Sequence, residues 1–402
     1  MKPRVIFQKL VSSFFIIIIL TGCASNVSTP RGSYGLSVPV ENTAKLTAGK
    51  LSVVIPIMDP GLPKNTDEYL AKAIWPELRR AESNRFSVML KNSMEKTKAF
   101  TSVRVVPDKT AQAHLYAEGR IVKSNGEDLH LTIEVSDIAG KTRLRRTYRH
   151  RVKEYDLEDP RKNEADLYAP IFEEIAEDIA ALGGKMRTRD LDRIKIIEEL
   201  SFAHAFSPEY FSNYISVSNK GRKKLVYAPD EKDPMLKRIK ALRIRDQMFI
   251  DNIQTDYNEF RMAMDKDYVI WQRQSYVESK AAREAKAAAT TSAIFGTLLL
   301  AGGIAAAASS DYYDPALYGG AVAAGVGAAV IKNAVEKSRD AKAHRESLSE
   351  LGKSLNIQIT PRVMELEDRE IKLEGTAHEQ YKTWRLFLKD FYELESTPDV
   401  II

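Results

Sequence analysis

The chain has 402 residues, 60 of them Lys or Arg and 55 Asp or Glu, for a net charge of +5. Three of those charges belong to Lys2, Arg4 and Lys9 at the amino terminus, so only about +2 remains beyond them and the basic isoelectric point gives no reason to expect a nucleic-acid partner. The single cysteine, Cys23, excludes disulfides and any Cys-clustered metal site.

Residues 1–22 have the form of a signal peptide. A basic n-region precedes "FFIIIIL", Phe14–Leu20, an apolar core too short to span a bilayer comfortably. Leu20-Thr21-Gly22-Cys23 then sets small residues directly before the cysteine. This resembles a bacterial lipobox, in which lipoprotein signal peptidase cuts before a cysteine that carries lipid. The resemblance implies that Cys23 is the lipidation site and membrane lipid its partner, each acyl chain contributing about 0.8 kcal/mol per buried CH2. In such lipoproteins an aspartate after the cysteine favours the inner membrane; Ala24 here implies an outer-membrane anchor facing the periplasm.

Residues 23–49 are rich in Ser, Thr, Asn, Gly and Pro and read as a flexible tether reaching roughly 25–30 Å. Residues 50–188 read as an α/β, sandwich-like domain. "KLSVVIPI" is a buried strand; 67–98 is helical, with Pro76 opening its second piece and Phe86, Leu90 and Met94 on one face; "SVRVVPD" is a second strand. Three strands follow, turning at Asn125-Gly126 and Ala139-Gly140, and Leu129, Leu131, Ile133 and Val135 alternate as a strand covered on one face. Tyr168, Ile171, Ile175, Ile179 and Leu182 then recur at helical spacing.

The order β-α-β-β-β-β-α, with "A-x-L-x-A-E-G" at Ala113–Gly119 and "V-x-D-x-x-G" at Val135–Gly140, resembles the periplasmic domain of CsgG-like curli-secretion lipoproteins and the amino-terminal domain of TolB. The resemblance implies a non-enzymatic role, in secretion pores, activation of cell-wall synthases or envelope scaffolding. It covers about a third of the chain, and the added helical region means that no single member's role carries over.

Residues 189–289 read as helical. Ile250, Ile253, Tyr257, Phe260, Met264, Tyr268 and Trp271 form a near-heptad seam that reads as a packed face, and a break is expected near Gln272–Ser275, where the seam lapses. Residues 290–332 form a Gly/Ala-rich stretch. No charge falls between Ala287 and Ser310, about 36 Å as helix; "SDYYDP" interrupts; Pro315–Ile331 makes a second arm of about 25 Å. Gly302 and Ala306 in the first arm, and Gly319, Gly320, Ala323, Ala324, Gly327 and Ala328 in the second, repeat at four-residue spacing, which lets helix backbones approach closely. A helical hairpin of glycine-zipper type follows from that register. Two environments satisfy it: lipid, or the core or interface of a soluble or homo-oligomeric protein. Residues 333–402 contain a helix and a small β-β-α unit, "NIQITPRVMELEDREIKLEGT" supplying the strands and Tyr381, Trp384, Leu388 and Phe391 one face of the last helix. The expected fold class is therefore α+β.

One further surface stands out. Arg143, Arg145, Arg149, Arg151 and Lys153 fall on alternate positions, giving a basic strand face that suits an anion such as a lipid head group, peptidoglycan or an acidic protein, or else a solvated edge that resists aggregation. Enzyme readings lack their residues. The histidines 114, 130, 150, 204, 344 and 378 show no His-x3-His spacing. "LGGKMR" ends like a phosphate loop but has Ile179 where the first glycine belongs and Met186 for Ser/Thr, and no Gly-x-Ser-x-Gly occurs. Glu173, Glu174, Glu177 and Asp178 read as a solvated helix face. The sequence thus points to a non-enzymatic outer-membrane lipoprotein without cofactor or metal, accessory to envelope assembly or secretion; the alternative is a soluble periplasmic binding or scaffold protein held only by its lipid.

Overall fold

The computed structural model describes residues 50–72, 74–159, 165–230, 232–289 and 346–396. The lipobox Leu20–Cys23, the tether and the Gly/Ala hairpin, with Gly302, Ala306, Gly319, Gly320, Ala323, Ala324, Gly327 and Ala328, lie outside these residues.

The apolar, β-branched run at the start forms β1 (Ser52–Pro56), and Pro76 opens helix α1 (Pro76–Lys96), its fixed φ and missing N–H suiting the first helical position. Four strands follow: β2 (Ser102–Val106), β3 (Leu115–Ser124), β4 (Asp128–Asp137) and β5 (Thr142–Arg151). They make one mixed sheet in the order β2-β1-β3-β4-β5, with β1 parallel to both neighbours and β3-β4-β5 an antiparallel meander. Gly126 and Gly140 close its two turns at φ +84° and +80°, a region that favours glycine. Helices α1 and α2 (Ala169–Lys185) cover one face of the sheet, where Phe86 packs on Phe172 at 5.4 Å and edge-on to Tyr168.

Beyond α2 come α3 (Thr188–Phe206), a hairpin of β6 (Ile215–Val217) and β7 (Lys223–Leu225), and the 56-residue helix α4 (Pro234–Ala289), about 84 Å long. The hairpin corrects the expectation that 189–289 is helical throughout. Gly221, at φ +72°, turns the chain, and Ile215 and Leu225 pair across the hairpin and pack against the core. The seam of α4 is buried as expected, but the break near Gln272–Ser275 does not occur. Gln272 is fully buried, its Oε1 accepting the Leu167 N–H, and Ser275 packs against Gly126, so polar side chains continue the seam.

Helix α4 also closes the β2 edge. The Gln254 amide accepts the Val105 N–H (2.9 Å) and donates to the Val105 carbonyl (2.8 Å), standing in for a further strand, while Arg104 pairs with Asp251. The carboxy-terminal unit is β8 (Arg362–Leu366), β9 (Arg369–Leu373) and helix α5 (Ala377–Ser396), docked on α4 through Phe249, which stacks on Tyr381 and Trp384 at 5.8 and 5.9 Å. The fold is α+β, and buried apolar residues from Leu51 to Tyr392 make one continuous core.

The sheet has two distinct ends, about 30 Å apart along its ten-residue strands. One end carries Lys50, His114 and the Gly140 turn: His114 Nδ1 accepts the Ser52 N–H, and its carbonyl accepts the Ile138 N–H. The other carries the Gly126 turn, the start of α1 and the last turns of α4, where Ser279 donates to the Asn125 carbonyl and Arg283 pairs with Glu127. Gly352 lies against the Glu77 backbone at this second end.

Candidate functional site

Arg143, Arg145, Arg149 and Arg151 of β5 stand on the side of the sheet away from α1 and α2. Arg143 pairs with Asp137 at 2.6 Å, Arg145 approaches Glu134 at 3.5 Å, and Arg151 donates to both oxygens of Asp128. Arg149 is exposed, opposite His130, and Lys153 falls just beyond the strand with its ammonium 5.6 Å from the Tyr155 ring. The strip is therefore a ladder of cross-strand ion pairs carrying surplus positive charge, not a bare cationic face. Burial alone would raise the Asp128 carboxyl, but hydrogen bonds and charge from Arg151 and Lys123 outweigh it and hold the group at about 2.

The opposite side of β5 locks onto α2. Arg146 reaches Asp178 (2.5 Å) and Glu174 (2.7 Å), and the Tyr148 hydroxyl donates to Asp178. Glu174 and Asp178 thus remain on the solvated face expected of them and in addition bridge helix to strand through one guanidinium and one phenol of β5.

Two buried ionic clusters escape a reading by sequence pattern. In the first, Glu82, fully buried on α1, accepts hydrogen bonds from Ser124 Oγ (2.5 Å) and Tyr268 OH (2.8 Å), with Arg79 at 3.4 Å. Loss of solvation pushes its carboxyl up, although Arg79 and the two hydroxyls pull it down. One turn on, Arg85 is held between Asp166 and Asp265 and lies 4.1 Å over the Tyr268 ring. In the second cluster, Asp246 of α4 meets Tyr381 and Arg385 of α5, the Arg385 guanidinium lies over Phe202 and Phe206, and Glu198 of α3 pairs with Arg243. Burial raises the carboxyls of both Asp246 and Glu198. These groups clamp α4 to α1, α3 and α5. Breaking one partner of such a pair costs several kcal/mol, so the clamps fix where α4 sits.

His114 is the most perturbed histidine. Burial, with Arg243 and Lys195 nearby, lowers it to about 4, and its Nδ1 accepts from the Ser52 backbone, so the ring is neutral. Gly183, Gly184 and Lys185 lie in the last turn of α2, whereas a phosphate loop needs its glycines ahead of a helix. Among the described residues no group of three or more His, Cys, Asp or Glu is placed to hold a metal, and no helix is long and apolar enough to cross a membrane.

Fold and clusters together define an α+β protein in which one long helix is fastened by buried ion pairs along a mixed sheet. Comparison with protein-family models, with curated proteins and with solved structures gives no match.

Proposed function

We propose that this chain is a non-enzymatic lipoprotein of the bacterial outer membrane, held by lipid on Cys23, with its folded body in the periplasm as an accessory or structural part of envelope assembly or secretion. The observation that carries the reading is Leu20-Thr21-Gly22-Cys23, set behind a basic and apolar leader and containing the only cysteine in the chain. The body suits a scaffold, since its buried carboxylates are engaged in fastening helices. The partners of this reading are membrane lipid, envelope proteins or peptidoglycan, and a second copy of the chain.

Metabolic labelling with radioactive palmitate in a bacterial host tests the anchor. Label on the full chain and its loss in Cys23→Ala are expected; an unlabelled parent overturns the reading. The hairpin at 290–332 is tested by deletion. Arg283 and Gly352, which stand on either side of the deleted stretch in the chain, lie at the same end of the sheet. A deleted chain that stays folded and monomeric but leaves the membrane fraction when Cys23 is also replaced supports insertion in lipid. Misfolding on deletion supports the soluble binding or scaffold alternative.

A further inference from the structure

The β6–β7 hairpin is a small element with an unusual surface. From Tyr210 to Pro229 the chain contains no acidic residue, and the hairpin presents Lys220, Arg222 and Lys224, all exposed. Among the described residues no carboxylate forms an ion pair with these three. Beside them Val226 and Tyr227 are 57% and 52% exposed, and Val217 is 44% exposed on the outgoing strand. Apolar groups are left in water here although the hairpin has a buried side available, where Ile215 and Leu225 already sit.

The hairpin is also held in place. The Lys223 N–H donates to the Ala139 carbonyl, and a Cβ on Gly140 would lie 3.5 Å from the Arg222 Cα, so its tip stands beside the β4–β5 turn and Lys141. Lys223 itself turns inward, toward Glu198. Tyr214 packs against Tyr227 with ring centroids 4.7 Å apart and the rings tilted at 55°. The result is an exposed cationic hairpin, tied to the β4–β5 turn, with an aromatic and two valines at its flank.

That combination selects among anions. A soluble anion or an acidic polypeptide requires only the charges. A bilayer with anionic head groups rewards both features, since basic residues gain from its surface potential while Tyr settles at the head-group level and Val gains from leaving water. Placement agrees: the hairpin projects from the sheet end that carries Lys50, the first described residue after the proposed lipid tether.

We propose that the β6–β7 hairpin, with Lys220, Arg222 and Lys224 as charges and Val226 and Tyr227 as apolar contacts, is a docking surface for an anionic lipid bilayer. This contact is independent of the acyl anchor, so it is measured on full-length protein carrying Cys23→Ala, and its failure leaves the palmitate result untouched. The assay is flotation with vesicles of phosphatidylcholine, with and without phosphatidylglycerol, over a range of salt. The parent is expected to bind vesicles containing phosphatidylglycerol more strongly than those of phosphatidylcholine alone, by a margin that shrinks as salt rises. K220Q/R222Q/K224Q should weaken that binding on the order of a hundredfold, while removal of three exposed cations elsewhere, K72Q/K353Q/K372Q, should leave it nearly unchanged. Tyr227→Ser should weaken binding most at high salt, where charge is screened. Equal loss in both triple variants reduces the effect to net charge and overturns the proposal, as does a parent indifferent to phosphatidylglycerol. Full competition by soluble polyglutamate, with Tyr227→Ser silent, would instead make the occupant an acidic polypeptide.

Discussion

Gly126 and Gly140 form a matched pair that tests how α4 is fastened. Both close turns of the same meander with nearly equal positive φ, so replacement by alanine costs each about 1–2 kcal/mol of backbone strain. Their surroundings differ. A Cβ on Gly140 would meet Arg222 no closer than 3.5 Å, an ordinary contact. A Cβ on Gly126 would lie 2.6 Å from Ser275 Cβ, 2.7 Å from the Tyr276 nitrogen and 2.8 Å from the Gln272 oxygen, two of them backbone atoms of a helix that cannot yield locally. Relief requires α4 to move off the turn, loosening the Ser279–Asn125 hydrogen bond and the Arg283–Glu127 pair. Overpacking of this kind adds about 1–3 kcal/mol, so Gly126→Ala should cost about 2–5 kcal/mol against about 1–2 for Gly140→Ala. Urea unfolding of the two variants at unchanged m-value measures the difference, and hydrogen exchange should show faster amides near Tyr276 only in Gly126→Ala. A difference below about 0.5 kcal/mol would refute the claim that the far part of α4 is seated on this turn.

Three other outcomes follow from the clamps and the edge. Gln254→Leu leaves the Val105 N–H and carbonyl without partners and should cost about 2–3 kcal/mol, with increased self-association through the opened β2 edge seen by light scattering. Arg85→Met strands Asp166, while Asp265 keeps Arg261, and should cost about 3 kcal/mol at neutral pH; because the orphaned Asp166 can take up a proton, the loss should shrink in acid, as thermal melts would show. His114 is lowered to about 4, so its contribution is complete above its unfolded value of 6.5 and is lost as pH falls from there toward 4, by no more than about 3 kcal/mol. His114→Asn should flatten that part of the stability profile.

The legible parts of the fold were those with a period. Alternation at Leu129–Val135 and the seam from Ile250 to Trp271 each exposed one buried face to inspection, and the strand turns announced themselves as Asn-Gly and Ala-Gly. The β6–β7 hairpin did not, because strands of three residues are too short to show alternation. Helix α1 was only half legible: Phe86, Leu90 and Met94 mark one face, but Arg79, Glu82, Asn84 and Arg85 are buried as well. Their partners, Tyr268, Asp265 and the Leu355 carbonyl, arrive from far along the chain, so no local window contains the reason. Gln272 misled for a related cause. An amide in a seam looks like a lapse until the backbone N–H that it receives is known. On β5 the arginines were visible but their carboxylates were not assignable, since Asp128, Glu134 and Asp137 meet them only through the strand register.

The position of Lys50 and of the flanks of 290–345 at opposite ends of the sheet has a mechanical consequence. A pull applied between Lys50 and the far end runs along β1, which is hydrogen-bonded to a parallel strand on each side. Such a load shears the ladders of β1, so their bonds must yield together rather than one at a time. The same tension passes lengthwise down α4, whose ion pairs with α3, α5, β2 and α1 act as successive rivets. A load along this axis is thus met by the β1 ladders and the α4 ion pairs together.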